Sequence, residues 1–146
     1  MAIEQALANS FKKELLEADH DFTITTGDKF KIALYQSTAT LNSATTSYTT
    51  GNECPTSGQY TAGGGALVNG GTSIASGVAI VTFADRSFTG VTLTARGALI
   101  YNTSATVTDA AVAALDFGAD KTATSGTFTI QFPSFTTSAA ILRISG

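Results

Sequence analysis

Thr127-Phe128-Thr129-Ile130-Gln131-Phe132 alternates a hydroxyl or amide with a large apolar side chain at every step, and Pro133 then stops the run. A period of two is that of a β-strand with one buried and one open face. The same period recurs in Lys29-Phe30-Lys31-Ile32-Ala33-Leu34-Tyr35, where Phe30, Ile32 and Leu34 share a side opposite Lys29, Lys31 and Tyr35. Gly77 to Phe83 predicts a further strand, with Val78 and Ile80 inward. Val91 to Ala95 and Ala98 to Tyr101 flank Arg96-Gly97, which reads as a turn, bulge or bend between two strands or within one. Val112 to Phe117 and Ala140 to Ile144 are apolar runs of strand length, and Asn69-Gly70-Gly71 reads as a tight turn. About seven short strands at spacings near ten residues predict a mainly β chain: an Ig-like or related antiparallel β-sandwich.

Composition points the same way. Ten of the nineteen Asp, Glu, Lys and Arg residues precede Ile32, whereas 22 of the 25 threonines and 13 of the 14 glycines follow Lys31. The body must therefore be coated by hydroxyls and backbone rather than by charge, and β-branched threonine favours a pleated surface over a helix. The charged leader holds the one expected α-helix, Ile3 to Ala18. Ile3, Leu7, Phe11 and Leu15 recur every fourth residue and form an apolar stripe. That stripe docks on the chain's own sheet or reaches a neighbouring subunit. The expected organisation is a helical leader over 1–20 and a single β-sandwich over 21–146. Within the sandwich, a Ser/Thr/Gly-rich loop spans about 36–69, with Tyr48 and Tyr60 as its anchors. A loop of that length in a compact domain is functional or an assembly arm.

The bulk numbers exclude several classes. A 146-residue chain fits one domain that buries roughly 70% of its unfolded surface. Net charge of −3 offers no basic patch for phosphates, so nucleic acid is not an expected partner. No apolar run approaches the roughly 20 residues of a membrane span, and the N-terminus lacks the pattern of a signal peptide. The single cysteine, Cys54, forms neither an intrachain disulfide nor a cysteine-based metal site.

The segments that look chemical have plainer readings. Asp116-Phe117-Gly118 matches a kinase metal-binding tripeptide, but the nucleotide loop, strand lysine and catalytic loop that must surround it are missing. It reads as a strand ending at a glycine turn. Gly63-Gly64-Gly65 lacks the Lys-Ser/Thr of a phosphate loop. Asp19-His20-Asp21 holds the only histidine; three adjacent residues rarely converge on one ion, and an imidazolium there suits a helix C-terminus. No Gly-x-Ser-x-Gly elbow is present. Scattered Asp85, Asp109, Asp116 and Asp120 allow a carboxylate pair, but the tryptophans usual in a sugar cleft are absent. No catalytic, cofactor-binding or metal-ligating residue is expected.

Phe11-Lys12-Lys13-Glu14-Leu15-Leu16, Phe30 to Tyr35, Gln36 to Asn42, Gly58 to Gly64, Ala95 to Asn102 and Leu115 to Lys121 fall in order across most of the chain. Together they resemble a family of small structural proteins of tailed bacteriophages. The resemblance implies a virion component made in the host cytoplasm. Its first location is the outer surface of the head, as a decoration or cement protein bound to the major capsid protein. A tail, neck or fibre-associated place is the alternative, though internal repeats and a long coiled coil are both missing. A host-surface glycan-binding module and a host β-domain outside any particle are the other readings. The expected protein is non-enzymatic and self-associates into a homo-oligomer. Candidate contact residues are the stripe of Ile3, Leu7, Phe11 and Leu15, the loop aromatics Tyr48 and Tyr60, and the isolated cations Arg86 and Arg96.

Overall fold

The computed structural model describes residues 2–136 and 138–145. In chain order its elements are β1 (Ala6–Leu7), α1 (Asn9–Leu16), β2 (Phe30–Tyr35), β3 (Gly65–Ala66), β4 (Asn69–Ala75), β5 (Val78–Phe83), β6 (Arg86–Asn102), β7 (Ala110–Ile130) and β8 (Leu142–Ser145). A five-stranded sheet runs β1-β7-β6-β2-β3 and a three-stranded sheet runs β4-β5-β8. All pairings between these strands are antiparallel. The chain is mainly β, a sandwich-like arrangement of two antiparallel sheets with one short helix near its N-terminus.

The long hairpin β6–β7 is the spine. Val91–Ala95 and Ala98–Tyr101 belong to one 17-residue strand, and the runs at Val112 and Thr127 to one 21-residue strand. The breaks between them are bulges. Pairing passes from Ala95↔Lys121 directly to Gly97↔Asp116, so Arg96 alone stands opposite Phe117, Gly118, Ala119 and Asp120. Burial changes character at this point. Before Arg96, β6 alternates buried Phe88, Val91, Leu93 and Ala95 with exposed Ser87, Thr89, Thr92 and Thr94; after it, every residue from Gly97 to Asn102 is buried. A strand covered on both faces reads as a continuous apolar run, and one covered on a single face alternates.

Two different layers cover the central strands. Phe30 of β2 stacks on Phe22 at 4.7 Å and meets Phe83 of β5 at 5.5 Å, while Phe11 of α1 reaches Phe22 at 6.0 Å. This aromatic seam joins helix, leader and small sheet to one face. Residues 36–64 cover the other face, with Tyr48 stacked on Tyr101 at 4.8 Å.

Three expectations need correction. The helix spans Asn9–Leu16, not Ile3 to Ala18. Ahead of it the backbone is extended: Ala6 and Leu7 pair with Ala114 and Ala113, and Glu4 N–H donates to Leu41 O at 2.8 Å. The 1–20 leader is thus woven into the domain rather than set apart from it. Asn69-Gly70-Gly71 is not a turn but the start of β4, with a register shift between Asn69 and Gly71. The hairpin turn lies at Ser76-Gly77, both at positive φ (50° and 76°), as a two-residue hairpin loop requires.

Candidate functional site

The structure turns most of the proposed contact residues inward. Ile3 is buried against Gly97, and Phe11 is buried between Phe22 and His20, its ring 4.8 Å from the imidazole. Leu7 and Leu15 are half-buried along an apolar cleft of about 200 Å³ between the helix and β5–β8. The stripe therefore docks on its own domain. Leu16, which the apolar pattern joins to the stripe, is instead the large apolar residue of the helix left open, at 90% exposure.

Tyr48 and Tyr60 work as a pair around Glu53. Tyr48 Oη donates to Glu53 Oε2 at 2.5 Å and Tyr60 Oη donates to Glu53 Oε1 at 2.7 Å. Gly63 N–H donates to the same Oε1 at 2.6 Å, and Tyr60 Oη accepts from Leu34 N–H at 2.8 Å. Tyr35 Oη donates to Thr49 O at 2.6 Å, and Tyr101 Oη donates to Gly63 O. All four tyrosines of the chain thus clasp the 36–64 segment to the sheet. Tyr60 is wholly buried and Tyr48 half-buried. Burial, then the neighbouring Glu53, pushes the phenols of Tyr48 and Tyr60 well above the ordinary tyrosine value; burial likewise raises Tyr101 to about 12. These hydroxyls are structural donors. The segment is a packed cover rather than a free arm.

The two arginines are also committed. Arg96 Nε donates to Asp116 Oδ1 at 3.0 Å, and that oxygen accepts Gly118 N–H at 2.9 Å. The pair spans the bulge, and the guanidinium, followed by the Gly118 amide, holds the Asp116 carboxyl below its usual range. Asp116-Phe117-Gly118 is therefore the bulge itself, with Gly118 at φ 80°, and the strand continues through it. Arg86 is half-buried, its guanidinium 4.8 Å over the Phe88 ring, and its buried Nε has no partner among the described residues.

The reactive groups of the sequence are sealed. Asn102 Oδ1 accepts Ser104 N–H and Ala105 N–H, at 2.8 and 3.1 Å, which fixes its amide nitrogen as donor to Asp28 Oδ2 (2.7 Å) and His20 Nδ1 (2.9 Å). Nδ1 must then carry a lone pair. The proton of the neutral ring lies on Nε2, which points at Glu14 Oε1 at 3.3 Å. The ring side chain is 0% exposed. The only histidine ties α1 to the β6–β7 tip; it is not an imidazolium capping the helix.

Its neighbours face elsewhere. Asp19 accepts Thr106 and Val107 N–H, and Asp21 accepts the Thr23 hydroxyl and amide. Among the described residues, no group of three or more His, Cys, Asp or Glu side chains could hold a metal ion. Cys54 is buried, donates to Thr94 O at 3.2 Å, and burial raises its thiol to about 12.

What remains open is the far half of the hairpin. From Ser87 to Ala95 and from Thr122 to Ile130 it holds no charged residue, and Ser87, Thr89, Thr92, Thr94, Thr122, Thr124, Thr127 and Thr129 are all exposed. Thr94 and Thr122 share a hydroxyl–hydroxyl bond of 2.8 Å, and Ser87 and Thr129 one of 2.9 Å. Alternating threonine was the signal for this surface. Comparison with protein-family models, with curated proteins and with solved structures finds no match for the chain.

Proposed function

We propose that this chain is a non-enzymatic structural protein of a bacteriophage particle, a decoration protein that seats on the major capsid protein and stabilises the head. One observation carries the reading: the uncharged, hydroxyl-coated half of β6–β7. Burying an ion against a partner costs several kcal/mol unless it is paired, whereas a hydroxyl beside backbone acceptors is readily satisfied. Interface cores are depleted in charge for this reason. The segments resembling tailed-phage structural proteins support the same reading, as does the use of His20, Cys54 and the tyrosines as internal fastenings.

On this reading the protein acts by adding buried area across seams between capsomers. A stable contact is of order 1,600 Å², and many symmetry-related copies multiply modest affinities. The test is cryo-EM of the purified particle together with binding of the purified chain to shells that lack it. Density over capsomer junctions, with saturable binding and a higher shell melting temperature, is the expected result. Density only at the neck or tail would overturn the head assignment. Absence from particles, or binding to host surface glycans in place of shells, would overturn the decoration reading altogether.

A further inference from the structure

The free side of β7 is a second feature of the same ribbon. The strand pairs with β6 on one side; on the other, among the described residues, its first half meets β1 at Ala113 and Ala114 and the Thr46–Ser47 segment at Ala110 and Ala111, and its Asp116 N–H donates to Gln5 Oε1. Among the described residues no strand covers its outer side from Leu115 onward. Within that stretch Thr124 and Ser125 form a bulge opposite Thr92, which leaves Gly126–Ile130 as the regular open edge. An open edge presents a row of backbone donors and acceptors, and native edges are normally blunted by lysine, proline or a cover. Gly126-Thr127-Phe128-Thr129-Ile130 has no charge and no proline. A concave groove of about 390 Å³ floored by Phe117, Ala123 and Phe128 runs beside it.

We infer that this edge pairs antiparallel with the same edge of a second copy of the chain, about a two-fold axis at Phe128. Edge-plus-groove recognition is the chemistry of strand addition. The sequence fits itself in this register: Thr127 faces Thr129 of the other copy, Thr129 faces Thr127, Gly126 faces Ile130, and no like charges meet. Hydroxyl pairing of this type already occurs inside the ribbon, at Thr94–Thr122 and Ser87–Thr129. The contact is short, so it is weak alone and gains strength from other contacts in an array. It does not depend on the capsid reading.

The test uses the full chain. Sedimentation or light scattering at rising concentration should show a species of twice the 14.9 kDa chain mass. The double variant Thr127→Lys/Thr129→Lys sets lysine against lysine and should weaken dimerisation about tenfold or more. Ile74→Lys, on the edge of the other sheet, should leave it unchanged. Cysteine pairing then reads the register without relying on the lysine variant folding. Thr127→Cys and Thr129→Cys proteins should cross-link only when mixed, since opposite residues lie about 4.5–5.5 Å apart, within disulfide reach. A wild-type chain monomeric at all concentrations, dimers indifferent to the edge lysines, or cross-linking of either cysteine protein alone would each overturn the proposal. So would an edge that is protected only when the monomer is mounted on a shell, because the occupant would then be a different chain.

Discussion

Replacing Asn102 with alanine removes the residue that joins the leader to the β6–β7 tip, and the loss can be apportioned bond by bond. The Ser104 and Ala105 amides lie at an exposed and a half-buried position, so water can replace the lost acceptor at modest cost. Asp28 Oδ2 keeps the Asp21 amide at 3.0 Å and loses about 1 kcal/mol. His20 Nδ1 is sealed, and losing its only donor costs about 1–3 kcal/mol. The vacated amide volume adds about 1 kcal/mol. The expected destabilisation is about 3–5 kcal/mol, a large part of the roughly 5–15 kcal/mol holding a domain together. At about 2–4 °C per kcal/mol the melting midpoint should fall by about 6–20 °C.

Urea titration with an unchanged m-value is the assay, paired with amide exchange at Ser104 and Ala105. Asn102→Asp sharpens the test, because it keeps the volume and the tip acceptor but sets an oxygen against Asp28 and the His20 lone pair. It should be at least as damaging as alanine near neutrality. A loss below about 1 kcal/mol for Asn102→Ala, or a fully tolerated aspartate, would refute the reading of this cluster as a structural clasp.

Acid should weaken the fold below the ordinary aspartate value of 3.8, because hydrogen bonds and, for Asp116, Arg96 lower the folded values of Asp19, Asp21 and Asp116. The unfolded chain then binds protons first, so stability present above 3.8 drains away as pH falls through the folded values; a pH series of urea midpoints checks this. At the alkaline end the sign is reversed in origin. Tyr101 and Cys54, at about 12 against 10.0 and 9.0, keep their protons longer in the fold, so stability falls as pH rises above those ordinary values. Tyrosinate absorbance should appear together with unfolding rather than as a separate step near 10. Native Cys54 should be inert to a thiol reagent and react fully in denaturant, where a fast native reaction would contradict its burial. Glu53→Ala should free Tyr48, Tyr60 and the Gly63 amide together and open the 36–64 segment to limited proteolysis, with β6–β7 left intact.

Strand content was legible because burial follows period. In β6 the alternation of Phe88 to Ala95 and the continuous run of Gly97 to Asn102 mark one covered face and then two. The helix start was not legible, because a spacing of four fits both periods. Ile3 and Leu7 lie one helical turn apart, but they also lie on the same face of an extended strand. Partners decide: the Glu4 amide finds Leu41 O and the Ala8 amide finds Val112 O, which an isolated helical turn cannot match. Local signals also lost at Asn69-Gly70-Gly71, where pairing with β5 outweighs turn propensity.

The proposed contact surface draws on composition for its character and on topology for its position. Tyrosine and arginine carry an apolar body with a polar tip, so the same residue serves an interface or a clasp equally well. Tyr60 finds Glu53 and Leu34, Arg96 finds Asp116, and both are used up inside the chain. An edge is different in kind: whether Gly126–Ile130 is free depends on which strands are neighbours, and no property of those residues alone records that. What the sequence does record is the lack of any charge between Thr122 and Ile130. On a strand buried by its own sheet that omission costs nothing and means nothing. On a strand whose outer side is open it removes the usual barrier to pairing, and the proposed pairing along β7 rests on the two facts together, one from composition and one from topology.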